Sequence, residues 1–586
     1  MTELNLASLW EGLSDAMGTS PAIVQGDVTR TWAQFDDRAA RLAAALRSMG
    51  VGAGDAIALD LYNSPEFLEI TFAALKLGAV PVPINYRYRE DELAYLIENS
   101  RAVAVFFHAA LASRVLAAAA RTARAVRLIA VPDDPDSPDG PDSPDGPDSP
   151  DGPDSPGPDA PGPGAPGAGT SRYADLIASA EPAVRIARGG DAEFIVYTGG
   201  TTGHPKGAVW RHRDLIGVLA TLSWGRAGLD TPRDVESAVA VAAGLARSGQ
   251  RTTALAVPPL MHSTALFESA AALLLGGTVV LCRSRTVDGD EILALVERYR
   301  ITRLSIVGNA FAAPLLEAAD RAAEAGRPYD LSSLQRVTSS GLIWSARHKS
   351  GLARHWRAEM HDVLASTEGG PYADAVTLPG EDPAAARFRL LPHGRAVDEN
   401  WHDLVPGSGT VGRIVGSGAM PSGYLHDPGR SALTWPTVDG VRYSVPGDLV
   451  TLEADGSLTL LGRGSEVVNT GGEKVFVEEV EEVLARHASV ADVLVVGVPD
   501  DRLGSRIAAI VQVRAGTAAT AEELRRFVGQ GLADHKRPRQ VVFTDQVQRS
   551  ASGKANRAWA KRLAEDSASP DARPDARPDG AHDAAR

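Results

Sequence analysis

From Trp32 onward the chain alternates helical periodicity with short apolar runs, and that alternation limits its fold more than any other feature. Trp32 to Met49 has the 3.6-residue repeat of an amphipathic helix with an alanine-rich face; the strand-like Ala56-Ile-Ala-Leu follows. Pro65 to Leu77 predicts a second helix, Gly78-Ala-Val-Pro-Val-Pro a strand, Glu92 to Asn99 a third helix and Ala102-Val-Ala-Val-Phe-Phe another strand. Such βα alternation implies mostly parallel sheets covered by helices. After Gly462 the pattern restarts in miniature: a helix over Val477 to Arg486, strands over Val493 to Val498 and Ile507 to Val513, and a helix over Ala521 to Leu532. The predicted fold class is α/β, with a large N-terminal domain (1–462) of parallel or mixed sheets and helices. A small α+β domain (463–562) follows.

Two segments lie outside this pattern. Residues 132–169 repeat Pro-Asp-Ser-Pro-Asp-Gly and then drift into Pro-Gly-Ala, while 563–586 repeat Asp-Ala-Arg-Pro. Prolines remove backbone donors and almost no apolar side chain is present, so both are expected to stay without a packed structure. The insertion also explains most of the charge. Residues 132–160 hold ten aspartates and no basic residue, so the net charge of −15 becomes −15 + 10 = −5 without them. No basic stripe suits nucleic acid, and no apolar run of 18 residues predicts a membrane span. The first residues lack a basic and then apolar leader pattern, and the single cysteine, Cys282, sits in a strand-like run as a core residue. The expected setting is the reducing cytoplasm.

The densest chemical signal is Tyr197-Thr-Gly-Gly-Thr-Thr-Gly-His-Pro-Lys-Gly207, which follows the short apolar run Phe194-Ile-Val. Its glycines let the backbone approach a ligand closely, while Thr198, Thr201 and Thr202 offer hydroxyls beside Gly199 and Gly200. Lys206 adds a cation, and together these groups suit the β- and γ-phosphates of a nucleotide. Pro205 stands where a Walker loop needs glycine, so the loop belongs to another class. A second glycine pattern, Gly407-Ser-Gly-Thr-Val-Gly412, follows Pro406 and leads into strand-like Arg413-Ile-Val; a dinucleotide fingerprint would open a helix there. The acidic run Glu478-Glu-Val-Glu-Glu482 reads as a solvated helix face.

From the phosphate loop onward the chain resembles the adenylate-forming superfamily of acyl-CoA synthetases, adenylation domains and luciferases, over Thr31 to Arg557 apart from the insertion. In wording it looks most like the actinobacterial-type fatty-acyl and steroid-side-chain CoA ligases. Further motifs follow in the family's order. The resemblance implies that Thr367 and Glu368 lie at the phosphates, with Glu368 holding Mg²⁺, and that Ser340 and Gly341 line the adenine. It gives Asp448 and Arg463 to the ribose, Ser465 to a hinge that makes the small domain mobile, and Lys554 to catalysis of adenylation. Gly471, Gly472 and Lys474 correspond to the loop reaching the CoA pantetheine, and His262 and Asn309 to the acid pocket. More of that pocket is expected from His262 to Phe267, Gly308 to Phe311 and Ser339 to Leu342.

The chemistry needs such residue types. A carboxylate attacking an α-phosphate is anion meeting anion, so cations must offset the charge that builds in the transition state. An ionised acid needs no general base, and no Ser-His-Asp or Cys-His constellation is evident. The expected catalytic residues are thus Thr198, Glu368 and Lys554, the expected cofactors ATP and Mg²⁺, and CoA the expected co-substrate. The expected partner is a small-molecule acid. Leu364-Ala365 stands where the family usually carries an aromatic residue over the adenine. That departure keeps a second possibility open: an adenylate-forming enzyme of specialised metabolism with another acid or acceptor, such as nitrite activated to diazotise an aromatic amine.

Overall fold

The computed structural model describes residues 4–134, 170–198, 204–341, 344–383, 387–463, 467–548 and 556–567. The first sixteen strands in chain order are β1 (Pro21–Gln25), β2 (Val28–Thr31), β3 (Ala56–Asp60), β4 (Val80–Pro83), β5 (Ala104–His108), β6 (Arg127–Val131), β7 (Thr170–Arg172) and β8 (Glu193–Thr198). They continue with β9 (Lys206–Arg211), β10 (Thr253–Ala256), β11 (Thr278–Leu281), β12 (Arg303–Ile306), β13 (Arg336–Ser340), β14 (Glu359–Ser366), β15 (Gly370–Thr377) and β16 (Arg389–Leu390).

Local chemistry sets the helix ends as the sequence predicts. Helix Trp32–Ser48 begins with a reciprocal cap, Gln34 N–H to Thr31 Oγ1 at 3.2 Å and Thr31 N–H to Gln34 Oε1 at 3.0 Å. Helix Pro65–Leu77 has Ser64 as its cap and proline at its first turn, and it stops at Gly78, whose φ of +75° favours glycine. That helix is buried all round. Its Glu69 sits at 0% exposure, neutralised by Arg30 at 3.0 Å, Arg38 at 2.8 Å and the Tyr173 hydroxyl.

Among the described residues, β3 to β7 form one parallel sheet in the order β4-β3-β5-β6-β7. The chain runs outward from β3 to β4 and then returns to lay β5 on the other side, so the order reverses between β3 and β5. A nine-stranded sheet has the order β16-β15-β14-β13-β12-β10-β11-β1-β2. Its six strands from β14 to β1 are parallel, so their carboxyl ends share one edge. The expectation of parallel and mixed sheets with helices holds. Helix Ser263–Leu274 crosses from β10 to β11 and is buried along almost its whole length.

The described chain divides into two compact units, one running to Arg463 and the other resuming at Val467. The second is an α+β unit around the long antiparallel pair Val490–Asp500 and Gly504–Val513. Leu484, Leu524 and Val528 pack on one face of its sheet, and Ala560 and Ala564 belong to a second cluster with Leu494 and Ile510.

Three readings need correction. The tail was expected from residue 563, yet helix Arg557–Asp566 continues past it because Ala564 is buried in the core. The start of the insertion is also engaged: Asp133 pairs with Arg285 at 3.2 Å and Asp134 with Arg283 at 2.8 Å. Residues 135–169 and 568–586 lie outside the described residues. The acidic run is not simply a solvated face either. Glu479 is buried against Lys536 Nζ at 2.8 Å, and Glu481 pairs with Arg557 at 2.6 Å. Helix periodicity places alternate glutamates on different faces, and composition cannot show that a cation waits on the inner one. The second glycine pattern runs into strand Gly412–Gly416, with no helix behind it.

Candidate active site

β8 and β9 pair antiparallel with Thr198 directly opposite Lys206, so the phosphate loop is the connection between two adjoining strand ends. Strand Gly423–Tyr424 adds to the free side of β9, with Tyr424 opposite Ala208. Two side chains of this small sheet converge on Glu368. The Thr198 hydroxyl donates to its Oε1 at 3.2 Å and the Tyr424 hydroxyl to the same oxygen at 3.0 Å. Lys206 Nζ lies 5.7 Å from the Tyr424 ring centre. Burial lowers its pKa, nearby Arg430 adds to this, and Asp427 and Glu368 oppose it. An anionic ligand would relieve that strain on the ammonium.

Glu368 is held from its backbone as well. It lies in the tight connection between β14 and β15, and its carbonyl accepts from Trp435 Nε1 at 2.7 Å and Ser444 Oγ at 2.8 Å. Its N–H donates to Ser366 Oγ at 3.2 Å. The Tyr372 hydroxyl bridges Ser366 Oγ and Ser444 Oγ at 2.8 Å each, which makes a buried hydroxyl chain under the carboxylate. Burial raises the pKa of Tyr372 against the opposing pull of the two serine contacts, so it is a neutral phenol. A carboxylate fixed at side chain, N–H and carbonyl can be aimed without reorganisation.

The neighbouring hydroxyls come from a helix start. Ser263 Oγ pairs with Thr367 Oγ1 at 3.0 Å, and Thr264 Oγ1 with Ser340 Oγ at 3.0 Å. Both Ser263 and Thr264 are in the first turn of helix Ser263–Leu274, whose cap residue is His262. The partial positive charge of that end favours an anion beside Thr367.

The fold thus gathers Thr198, Lys206, His262, Ser340, Thr367 and Glu368. Gly341, with φ +90°, follows Ser340 at the end of β13. Asp448 and Arg463 stand directly opposite each other across two antiparallel strands. Leu364 lies at a bulge between β14 and β15 and packs on the cluster around Tyr372. Asn309 uses its side-chain oxygen to accept from the Ser345 N–H at 2.9 Å. In the second unit Gly471 and Gly472, at φ +57° and +89°, form the tip of the hairpin carrying Lys474. Gly199, Gly200, Thr201, Thr202, Ser465 and Lys554 lie outside the described residues.

Sequence reasoning missed Tyr424, Trp435 and Ser444, and it covered Ser263 and Thr264 only as part of the expected pocket stretch His262 to Phe267. A Ser-Thr pair opening an apolar helix directly after His262 could have flagged the last two. Tyr424, Trp435 and Ser444 lie in short elements with no periodicity to mark them. Cys282 is buried and its thiol pKa is pushed well up by burial, as suits a core residue. Among the described residues no helix is long and apolar enough to cross a membrane.

A glycine-rich loop whose flanking residues Thr198 and Lys206 lie by a fixed carboxylate, on an α/β scaffold and followed by a separate small α+β unit, defines an adenylate-forming ligase. The chain belongs to the AMP-binding enzyme family: the family model matches residues 14–425, and the model for the AMP-binding enzyme C-terminal domain matches 479–554. It is 34% identical to the medium/long-chain-fatty-acid–CoA/3-oxocholest-4-en-26-oate–CoA ligase of Mycobacterium tuberculosis, over 96% of each chain. It is 33% identical to the 3-oxocholest-4-en-26-oate–CoA ligase of Rhodococcus rhodochrous, over 95% of each. In fold it is similar to the amide bond synthetase McbA of Marinactinospora thermotolerans, with a TM-score of 0.73, 23% identity, and coverage of 95% of this chain and 99% of that one.

Proposed function

We propose that this enzyme joins a carboxylic acid to CoA in two steps, through an acyl-adenylate, and that its acid is a long or ring-bearing one. The supporting observation is the convergence of Thr198 and Tyr424 on Glu368 beside Lys206 and the first turn of helix Ser263–Leu274. In the first step a carboxylate oxygen forms a bond to the α-phosphorus, the bond from that phosphorus to the bridging oxygen breaks, and pyrophosphate leaves. In the second the CoA thiolate attacks the acyl carbon and AMP leaves. Thr198 and Lys206 hold phosphate oxygens, and the helix start beside Thr367 and Ser340 receives the acid's carboxylate. Asp448 and Arg463 take the ribose, and Lys554 supports the first step. Gly471 to Lys474 serve the CoA arm.

Mg²⁺ fits this donor set. A hard carboxylate oxygen beside threonine hydroxyls suits an ion usually bound by one or two carboxylates plus substrate phosphates, not by a protein cage. Among the described residues no cluster of three or more His, Cys, Asp or Glu forms such a cage. Glu368, with Thr367 beside it, would hold the ion, which would supply positive charge at the phosphates when bound.

The curated relatives named above act on medium- and long-chain fatty acids and on a steroid side-chain acid, which supports the choice of a carboxylic acid. A panel of acids scored by pyrophosphate release, with and without CoA, tests the proposal. A thioester product with some acid of this class is expected. Silence across the panel, with release from nitrite plus an aminoarene, would overturn it in favour of diazotisation.

A further inference from the structure

A cavity of about 260 Å³ whose lining does not include Glu368 has walls from the carboxyl ends of both large sheets. From the five-stranded sheet come Tyr62 and Asn63 after β3, and His108 at the end of β5. These are the two strands between which the order reverses, the usual place for a crevice in an open parallel sheet. From the nine-stranded sheet come Gln25, Val257 and Cys282, at the ends of β1, β10 and β11. Asn63 ties the two sheets together: its side chain donates to Pro258 O at 3.1 Å and accepts from Leu260 N at 2.7 Å. Those residues run directly into His262, and Phe311, on the helix that carries Asn309, closes another wall.

The edge of the nine-stranded sheet gives a length. Thr367 follows β14; β13 and β12 stand between it and the near wall of the cavity at the end of β10, and β11 and β1 carry the wall onward. At about 4.8 Å per strand, three steps to β10 make about 14 Å and five to β1 about 24 Å, a span that covers a long-chain or fused-ring acid.

The walls also give a chemistry. His108 is 4% exposed, and its Nδ1 accepts the Tyr62 N–H at 3.2 Å. Burial, with Arg285 nearby, lowers its pKa to about 3, so it is neutral and carries its proton on Nε2. Gln25 Nε2 donates to Asn63 O and Cys282 O, both at 2.8 Å, which leaves its carbonyl oxygen as an acceptor. Three guanidinium groups, Arg87, Arg283 and Arg285, line the cavity with three carboxyl groups, Glu66, Asp133 and Asp134: Arg283 pairs with Asp134 and Arg285 with Asp133, and Arg285 also lies 3.9 Å from the Tyr62 ring centre. A neutral donor and a neutral acceptor in one lining, where cations and carboxyl groups are equal in number, select an uncharged oxygen over a second carboxylate.

We propose that this cavity receives the non-reacting end of the acid, and that the acid carries there a hydroxyl or keto oxygen bonded to His108 Nε2. The inference rests on the adenylation reading above, and binding measured without ATP separates the two. The full chain is titrated calorimetrically with palmitic acid, its ω-hydroxy derivative and the matching ω-dicarboxylic acid. The ω-hydroxy acid is expected to bind about tenfold tighter than palmitic acid, as one buried hydrogen bond allows. His108→Asn, whose shorter side chain keeps an acceptor for the Tyr62 N–H but ends short of the Nε2 position, should bring its affinity down to that of palmitic acid. Equal affinities in the parent protein, tightest binding of the dicarboxylic acid, or an unaltered preference in a folded His108→Asn variant would overturn the inference. The comparison of the three acids in the parent protein does not depend on the variant folding. Preferred binding of the ω-hydroxy acid without pyrophosphate release once ATP is added would sink the adenylation reading and leave the cavity assignment standing.

Discussion

Tyr424→Phe removes one oxygen atom from the site and leaves the ring in place. The ring keeps its contact with Trp435, at 4.6 Å between centres, and its position 5.7 Å from Lys206 Nζ. Glu368 Oε1 loses the shorter of its two hydroxyl donors, the 3.0 Å bond, and retains Thr198 at 3.2 Å. A hydrogen bond to a carboxylate contributes about 1.5–3 kcal/mol, which at about 1.4 kcal/mol per decade corresponds to about 10- to 150-fold in rate if the carboxylate must be aimed for adenylation. The backbone of Glu368 stays anchored by Trp435 and Ser444, so the fold should hold. The assay is kcat/KM for ATP from pyrophosphate release at saturating acid, beside a urea unfolding curve. The expected result is a loss in that range with a nearly unchanged midpoint. A change of less than about threefold in a folded variant, well below the smallest loss calculated, would refute the claim that Tyr424 positions Glu368 for the reaction.

Three more outcomes are expected. A methyl group at Gly369 would collide with Ser444 Oγ and stand 2.5 Å from the Tyr372 hydroxyl. Gly369→Ala should therefore cost about 1–3 kcal/mol in urea unfolding and disable adenylation even where folded; normal activity would show that the hydroxyl chain is not needed to place Glu368. His212 is buried, its ring nitrogens make no hydrogen bond among the described residues, and burial with Arg188 nearby lowers its pKa from 6.5 to about 4. The unfolded chain binds that proton first, so stability should fall as pH drops from 6.5 toward 4. His212→Leu should reduce the slope by about 1.4 kcal/mol per pH unit, and unfolding curves of equal slope would refute this. Residues 135–169 join the parallel neighbours β6 and β7, so a linker of about a dozen Gly and Ser residues can replace them. Pyrophosphate release should be nearly unchanged if Asp133 and Asp134 are kept, and a large loss in a folded variant would give the segment a role in catalysis.

What was legible in the sequence is local. The βα alternation predicted the helices at Trp32 and Pro65 and the parallel sheets they cover, because periodicity, capping residues and proline act within a few positions. The glycines at 471 and 472 were singled out through the family resemblance, and their positive φ shows the local reason for that residue type. The phosphate loop was readable as a run of residue types, and Thr198 and Lys206 do stand opposite each other at its base. The grip on Glu368 was not readable. Its donors lie 170 and 56 positions away, and nothing near Thr198 or Tyr424 in the chain states that they meet. The cavity under Tyr62 and His108 is further still from sequence pattern. It exists because β10 lies between β11 and β12, and because Asn63 joins the edge of one sheet to a loop of the other. Strand order and sheet-to-sheet docking follow from burial of whole faces against each other, a free energy summed over distant residues that no single stretch of sequence carries.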